Sequence, residues 1–441
     1  MFRNRNVARG TGARLRDQEC DAYGGRMNED SVTPIGQVDF REDTRVFGIT
    51  RKDRRYHMLA IGRTGTGKST LLGNLIRSDL ERAEGVAVID PHGDLAEQAR
   101  DAIPVWRQRN AIYFDPADPH NQIQFNPLYV ARPEQRHLVV SELITILQQI
   151  FERAWGSRLE HILRIALLTL TEKPGHTLLD ALRLFDDSDF RKDIVEQLED
   201  DILKRFWIEE FGRYSKSYRT EAIAPIQNKL GEFLINPALR KVFESPEGDI
   251  KPRALMDEGR IFIANLSVGR LGRDVTRLLG ATLTGAFSLA ALSRADVPAD
   301  QRQDFYCYID EFPLFASGSV DIMLSETRKY RLCLTFAMQY LEQVDPKLLA
   351  SILGNVGNVI LFRVGARDAA ILEREMLPVF SRDDLISIPY HHMYVRMMIN
   401  HKPSRPFSAK VLRDFELRKL QGRPKVEPKT RETKTEDPAW P

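Results

Sequence analysis

The chain has 441 residues, 42% of them hydrophobic and 29% charged, and its 64 basic and 62 acidic side chains leave a net charge of +2. That length provides for two domains or one elaborated domain with a sizeable core, and the near-neutral balance argues against binding nucleic acid by bulk charge alone. Three widely spaced cysteines, Cys20, Cys307 and Cys333, argue against a disulfide framework and a zinc site, and fit a reducing cytoplasm.

Residues 1–45 are polar, carry Arg3, Arg5, Arg9, Arg14 and Arg16, and show little periodicity. They are expected to be a disordered basic segment. The polar, arginine-rich start has no secretory character. Arg51, Lys52, Arg54 and Arg55 then crowd the approach to the first strand, open to two readings: phosphate contacts or a solvated face.

Residues 57–61 form an apolar run, followed by Gly62-Arg63-Thr64-Gly65-Thr66-Gly67-Lys68-Ser69 and then by the apolar stretch that begins at Leu71. Strand, glycine-rich turn and helix start are the context a phosphate loop requires. Its glycines let backbone N–H groups close on a phosphate, and this predicts nucleotide binding at Gly62, Thr64, Gly65, Thr66, Gly67, Lys68, Ser69 and Thr70. Lys68 is expected on the β- and γ-phosphates of ATP, and the Ser69 hydroxyl on Mg²⁺. A helix to about residue 81 follows, then a buried strand ending Asp90-Pro91-His92-Gly93-Asp94, and a third strand at 111–114. Continuous apolar strands separated by helices predict an α/β fold with a mostly parallel sheet.

From 134 to about 244 the periodicity is helical, with stripes such as Val139, Leu143, Ile146 and Ile150, and no strand intervenes. An all-α insertion is expected over 126–245, splitting the ATPase domain into 46–125 and 246–415. Within it, Arg213-Tyr214-Ser215-Lys216-Ser217-Tyr218-Arg219 interleaves bases and aromatics, a pattern open to DNA contact or to a solvated helix junction. The uncharged stretch 278–293 is short for a membrane span and reads as a core helix.

Strands resume at 260–266, 305–309, 333–337 and 359–364, with a last one at 394–399. Phe305-Tyr306-Cys307-Tyr308-Ile309 ends in Asp310 and Glu311. Asp310 fits the carboxylate that holds Mg²⁺ through water on a neighbouring strand, and Glu311 the base that orients the attacking water. Gln339 closes the next strand, where a γ-phosphate sensor would sit. Arg328 is the first candidate for an arginine that reaches a neighbouring subunit's nucleotide, with Arg331 and then Arg363 behind it. Neither His92 nor the pair His391-His392 has metal-binding spacing. Residues 416–441 read as a disordered charged tail.

The ordered set of motifs resembles the ATPase domain of type IV secretion coupling proteins of the TraG/TraD type, within the FtsK/HerA superfamily of DNA-pumping ATPases. The carrying residues are 62–70, 88–95, 155–160, 265–272, 309–312, and the stretch around Gln339 and 362–368. The resemblance implies a RecA-like P-loop domain with an all-α domain, a homohexameric ring around DNA, single- or double-stranded, and an arginine supplied in trans. It also implies conjugative or secretion-linked transfer with secretion or relaxosome proteins. Coupling proteins usually carry N-terminal membrane helices; none is recognised here, so a cytoplasmic location without direct membrane insertion is expected. Two alternatives stay open: a HerA-type helicase partnering a nuclease, and an ATP-gated adaptor that recruits proteins without moving DNA.

Overall fold

The computed structural model describes residues 29–40, 43–151, 155–316 and 320–413, with Glu416. The expectations for the basic segment before residue 29 and for almost all of the tail from 416 onward lie outside the described residues.

The strands are β1 (Val32–Val38), β2 (Val46–Thr50), β3 (Met58–Ile61), β4 (Gly85–Asp90), β5 (Ala111–Phe114), β6 (Ile261–Asn265), β7 (Phe305–Ile309), β8 (Leu332–Met338), β9 (Asn358–Leu361), β10 (His392–Arg396), β11 (Met398–Ile399), β12 (Lys402–Pro403) and β13 (Phe407–Val411). Eleven of them make one sheet in the order β2-β1-β13-β10-β9-β3-β8-β7-β4-β6-β5, and β11 and β12 pair separately. The run from β9 to β5 is parallel; β10, β13, β1 and β2 join antiparallel.

Except for the edge strand β5, the parallel strands are buried on both faces, and their side chains alternate between two apolar cores. Along β7, Phe305, Cys307 and Ile309 enter the first core, and Tyr306 and Tyr308 the second. The second core is closed by Leu71, Leu72, Leu75 and Ile76 of the Lys68–Glu81 helix and by Leu95, Ala96 and Ala99 of the Asp94–Asp101 helix. The first is closed by the Arg273–Ser293 helix, which contains the uncharged stretch. That helix is long and apolar enough to cross a membrane, but 78% of its apolar window is buried inside the molecule.

Between β5 and β6 the described residues form helices and no strand. The Arg136–Phe151 helix packs against the Arg273–Ser293 helix, where a Cβ on Gly285 would come within 2.8 Å of Glu142 Cγ. Apolar residues of the helical segment therefore join the first core of the sheet rather than closing one of their own. The basic–aromatic stretch runs into the Lys216–Leu234 helix, which the Ser215 hydroxyl caps by accepting from the Tyr218 N–H.

Two expectations are corrected here. The polar segment expected to be disordered through residue 45 supplies β1, which pairs with both β2 and β13. Its Pro34 and Gly36 flank a register shift, the kind of site where a sheet tolerates such residues. The last expected strand, 394–399, is split: β10 joins the main sheet, Met398–Ile399 turns into the small hairpin, and β13 follows.

The basic cluster before β3 is neither a phosphate-binding patch nor a solvated face. Arg54 is 3% exposed and pairs with Asp79 at 2.6 and 2.9 Å, while also donating to the Tyr308 hydroxyl at 2.7 Å. Arg51 pairs with buried Glu84, Arg55 with Asp304 at 2.8 Å, and Lys52 with Asp30. Arg54→Ala would leave the Asp79 carboxylate buried without its main partner. That variant is expected to lose about 3–5 kcal/mol in denaturant unfolding; a loss below 1 kcal/mol would contradict the buried pair.

Candidate active site

The phosphate loop links β3 to the Lys68–Glu81 helix at the C-terminal edge of the parallel strands. Its tight course is dictated from outside as well as within. A Cβ on Gly62 would lie 2.5 Å from Phe362 Cβ, and one on Gly67 2.9 Å from the Phe362 ring. Gly67 also holds φ 127, a conformation that L side chains rarely adopt. His391 buttresses the loop by donating its backbone N–H to Thr66 O at 3.0 Å. Thr66 is buried, with its hydroxyl donating to Arg63 O at 2.7 Å, so it braces the turn.

Leu71 is the first residue of this helix whose N–H bonds back, to Gly67 O at 3.0 Å. The N–H groups of Lys68, Ser69 and Thr70 precede it and point out of the helix start, where an anion is favoured. Ser69 is exposed, Thr70 half-buried, and Thr64 and Gly65 are exposed at the tip of the loop. Lys68 is 7% exposed and its ammonium donates to Gly62 O at 2.5 Å and Arg63 O at 3.2 Å. Burial pulls its pKa down, against the opposing charges of Glu311 and Asp310. The lysine and both acids thus act within one electrostatic neighbourhood.

Asp310 follows β7 directly. Sheet order corrects one expectation: β7 is not the neighbour of β3, because β8 lies between them. Gln339, just past the end of β8, therefore stands between the phosphate loop and the acids. Asp310 is 6% exposed, and burial together with the charges of Asp90 and Glu311 raises its pKa to about 6. The Asp310 carboxylate and the exposed Ser69 hydroxyl are the oxygen ligands suited to a hard divalent cation, and a crowded acid with a raised pKa is a site where such a cation relieves repulsion. Because the folded pKa exceeds the ordinary value near 4, the contribution of Asp310 to stability is present at low pH and is lost as pH rises through about 6. Asp310→Asn is expected to raise the melting temperature of the metal-free chain more at pH 7.5 than at pH 5; an equal gain at both would contradict the burial argument.

Glu311 has φ 47 and ψ 48, a left-handed conformation costly for this residue type. Gln339 Nε2 donates to its Oε1 at 2.6 Å, Gln343 Nε2 to its Oε2 at 3.4 Å, and His92 Nε2 lies 4.0 Å from Oε1. Burial pushes its pKa up, but His92, Gln339, Gln343 and the Lys68 charge together hold it below the ordinary carboxylate value. Glu311 is thus an ionised and oriented carboxylate, the state that a general base requires. Asp90 is spent on structure, accepting from the N–H groups of His92, Gly93 and Ala96 at 2.8–2.9 Å, which fixes the turn that presents His92. Beside Gln339 a groove of about 570 Å³ runs between Arg63, Thr64, Tyr340 and Arg367.

Arg328 is far from this edge. Its turn, Thr327–Tyr330, precedes β8 and so lies at the opposite, N-terminal edge of the parallel strands. The side chain is exposed, with its guanidinium 3.4 Å from the centre of the Tyr56 ring. Arg331 is committed within the chain, donating to Ala299 O at 3.3 Å beside Asp304 and Glu29. Arg363 falls within the strand expected at 359–364, but it lies beyond the end of β9, over the Tyr390 ring at 4.3 Å. Sequence reasoning did not single out Gln343, Phe362 or the contact of His92 with Glu311.

Phosphate loop, paired acids and polar strand tip on one edge of a mostly parallel sheet define a RecA-like P-loop fold of the nucleotide-binding class. The model for the central domain of the helicase HerA matches residues 35–284, more than half of the chain, and the chain belongs to that family, within the superfamily its motifs resemble. No curated protein matches it. Among solved structures, the bacterial conjugative coupling protein TrwB is similar at 17% identity, with 83% of this chain and 86% of that one covered and a TM-score of 0.61. TrwB bound to a non-hydrolysable ATP analogue gives 17%, 86%, 89% and 0.58. VirB4 of Thermoanaerobacter pseudethanolicus gives 16%, 88%, 99% and 0.60. These likenesses show the shared fold.

Proposed function

We propose that the protein is an ATP-driven motor that moves DNA through a ring of identical subunits. The observation that carries this reading is the division of the site between two edges of the sheet. Lys68, Asp310, Glu311 and Gln339 gather at one edge, and an exposed arginine is held at the other. Arg328 does not serve the phosphate loop of its own chain across the sheet, so its use in hydrolysis requires a second copy.

In this reading the loop N–H groups hold the phosphates, and Lys68 leaves the carbonyls of Gly62 and Arg63 to meet the β- and γ-oxygens. Ser69 and Asp310 would hold Mg²⁺, which would supply neutralisation of phosphate charge when bound. Glu311 takes the proton of the attacking water, and Gln339 senses the γ-phosphate while aligning the Glu311 carboxylate. The neighbour's Arg328 stabilises charge on the transferring phosphoryl group. Relatives of this fold include a conjugative coupling protein and VirB4, which supports conjugation- or secretion-linked transfer. Membership of the HerA family supports a second reading, a motor that works with a nuclease. Co-purification with a relaxosome or secretion protein, or with a nuclease, separates the two.

Mixing Arg328→Ala subunits with Glu311→Gln subunits tests the shared site. Each is expected to be nearly inactive alone, and the mixture to recover part of the turnover, because some interfaces then pair an intact Glu311 with an intact Arg328. No recovery at any ratio would remove Arg328 from this role.

A further inference from the structure

Gln343 ends the short turn Leu341–Gln343 after β8, and both ends of its amide are engaged. Its Oε1 accepts from the backbone N–H groups of Gln339 and Tyr340 at 3.1 and 3.2 Å. Its Nε2 donates to Glu311 Oε2, while the Gln339 amide holds Oε1. Two amides thus grip the two oxygens of one carboxylate, and one of them also pins the backbone of the other. The turn itself is anchored, since the Leu341 N–H donates at 3.0 Å to Asp368, a carboxylate only 5% exposed.

We infer that Gln343 is a positioning residue for hydrolysis, which fixes the orientation of Glu311 and the placement of Gln339 together. The inference rests on the reading of Glu311 as the base. A glutamate held through one oxygen alone keeps rotational freedom about its last bond, whose torsional preference is broad. Displacing a reacting group by 1 Å costs on the order of 100-fold in rate. Gln343 closes that freedom by engaging the second oxygen, Oε2.

A purely structural Gln343 would act through its Oε1, as the cap of the turn. The two roles separate chemically. Gln343→Glu keeps an oxygen for the N–H groups of Gln339 and Tyr340 but replaces the donor facing Glu311 with a like charge. Gln343→Ala removes both functions. The test measures steady-state ATP turnover of the full chain with DNA present, with melting temperature as the control for folding. Gln343→Glu is expected to lower kcat at least about tenfold, with KM for ATP nearly unchanged and the melting temperature kept. In a Glu311→Gln background the same substitution is expected to add nothing, since its target is gone.

Parental kcat in Gln343→Glu would overturn the inference, as would a further fall in the double variant. If Gln343→Ala fails to fold, Gln343→Glu still decides. Normal turnover by Glu311→Gln would instead remove the reading beneath the inference, and is distinguishable because it appears with Gln343 intact.

Discussion

Lys68→Ala is expected to lower kcat/KM for ATP by at least about 100-fold, the scale of losing one charged donor to a developing oxyanion. The argument is local. Lys68 is the first residue of its helix, nearly buried, and the position of its ammonium is set by the carbonyls of Gly62 and Arg63. Burial already lowers its proton affinity, so a phosphate group that restores an opposing charge is strongly favoured there. Alanine removes that charge and leaves the loop N–H groups to bind the phosphates alone. Arginine is not a conservative replacement, because a planar guanidinium is larger and distributes its donors differently. Binding of a fluorescent ATP analogue and steady-state turnover both read this out. Turnover within a few fold of the parent would mean that the loop is a structural turn.

Glu311→Gln is expected to separate binding from cleavage: ATP affinity close to the parent, and kcat lower by about 10²–10⁴-fold. Glutamine fills the same volume and keeps one acceptor oxygen, which can take the shorter bond from Gln339 at the cost of the longer one from Gln343, so the left-handed turn at residue 311 is retained. What it removes is the proton acceptor. The environment singles out this acid: Glu311 is held below the ordinary pKa, while its neighbour Asp310 is raised to about 6. Adjacent carboxylates pushed in opposite directions are suited to different tasks, one as an ionised base and one as a ligand whose charge a cation must compensate. Single-turnover cleavage at saturating ATP is the appropriate measurement, and parental rates there would take Glu311 out of the chemistry.

The phosphate loop was legible because its requirements are local: glycines where the backbone closes, a lysine at the helix start, and an apolar strand before them. The parallel strands were legible as continuous apolar runs. The antiparallel extension was not, because β1 carries Pro34 and Gly36 and gains its place from β2 and from β13, which is more than 300 residues away in sequence. The site was read residue by residue but not as an arrangement. Only the sheet order sets β8 between β3 and β7, and so brings Gln339 and Gln343 onto Glu311. His92 lacked metal-ligand spacing; the pairing of β4 with β7 is what sets it beside a carboxylate. The arginines before β3 misled, because charge in sequence does not reveal a buried partner such as Asp79, 25 residues further on.

The most direct test of the motor reading is steady-state ATP turnover with and without single- and double-stranded DNA, at low and moderate salt, with Lys68→Ala as the blank. DNA contacts made to the phosphate backbone predict turnover that rises with DNA and loses that stimulation as salt increases. Turnover well above the blank but indifferent to both forms of DNA at low salt would contradict a DNA-moving motor and would favour an ATP-gated module that recruits proteins.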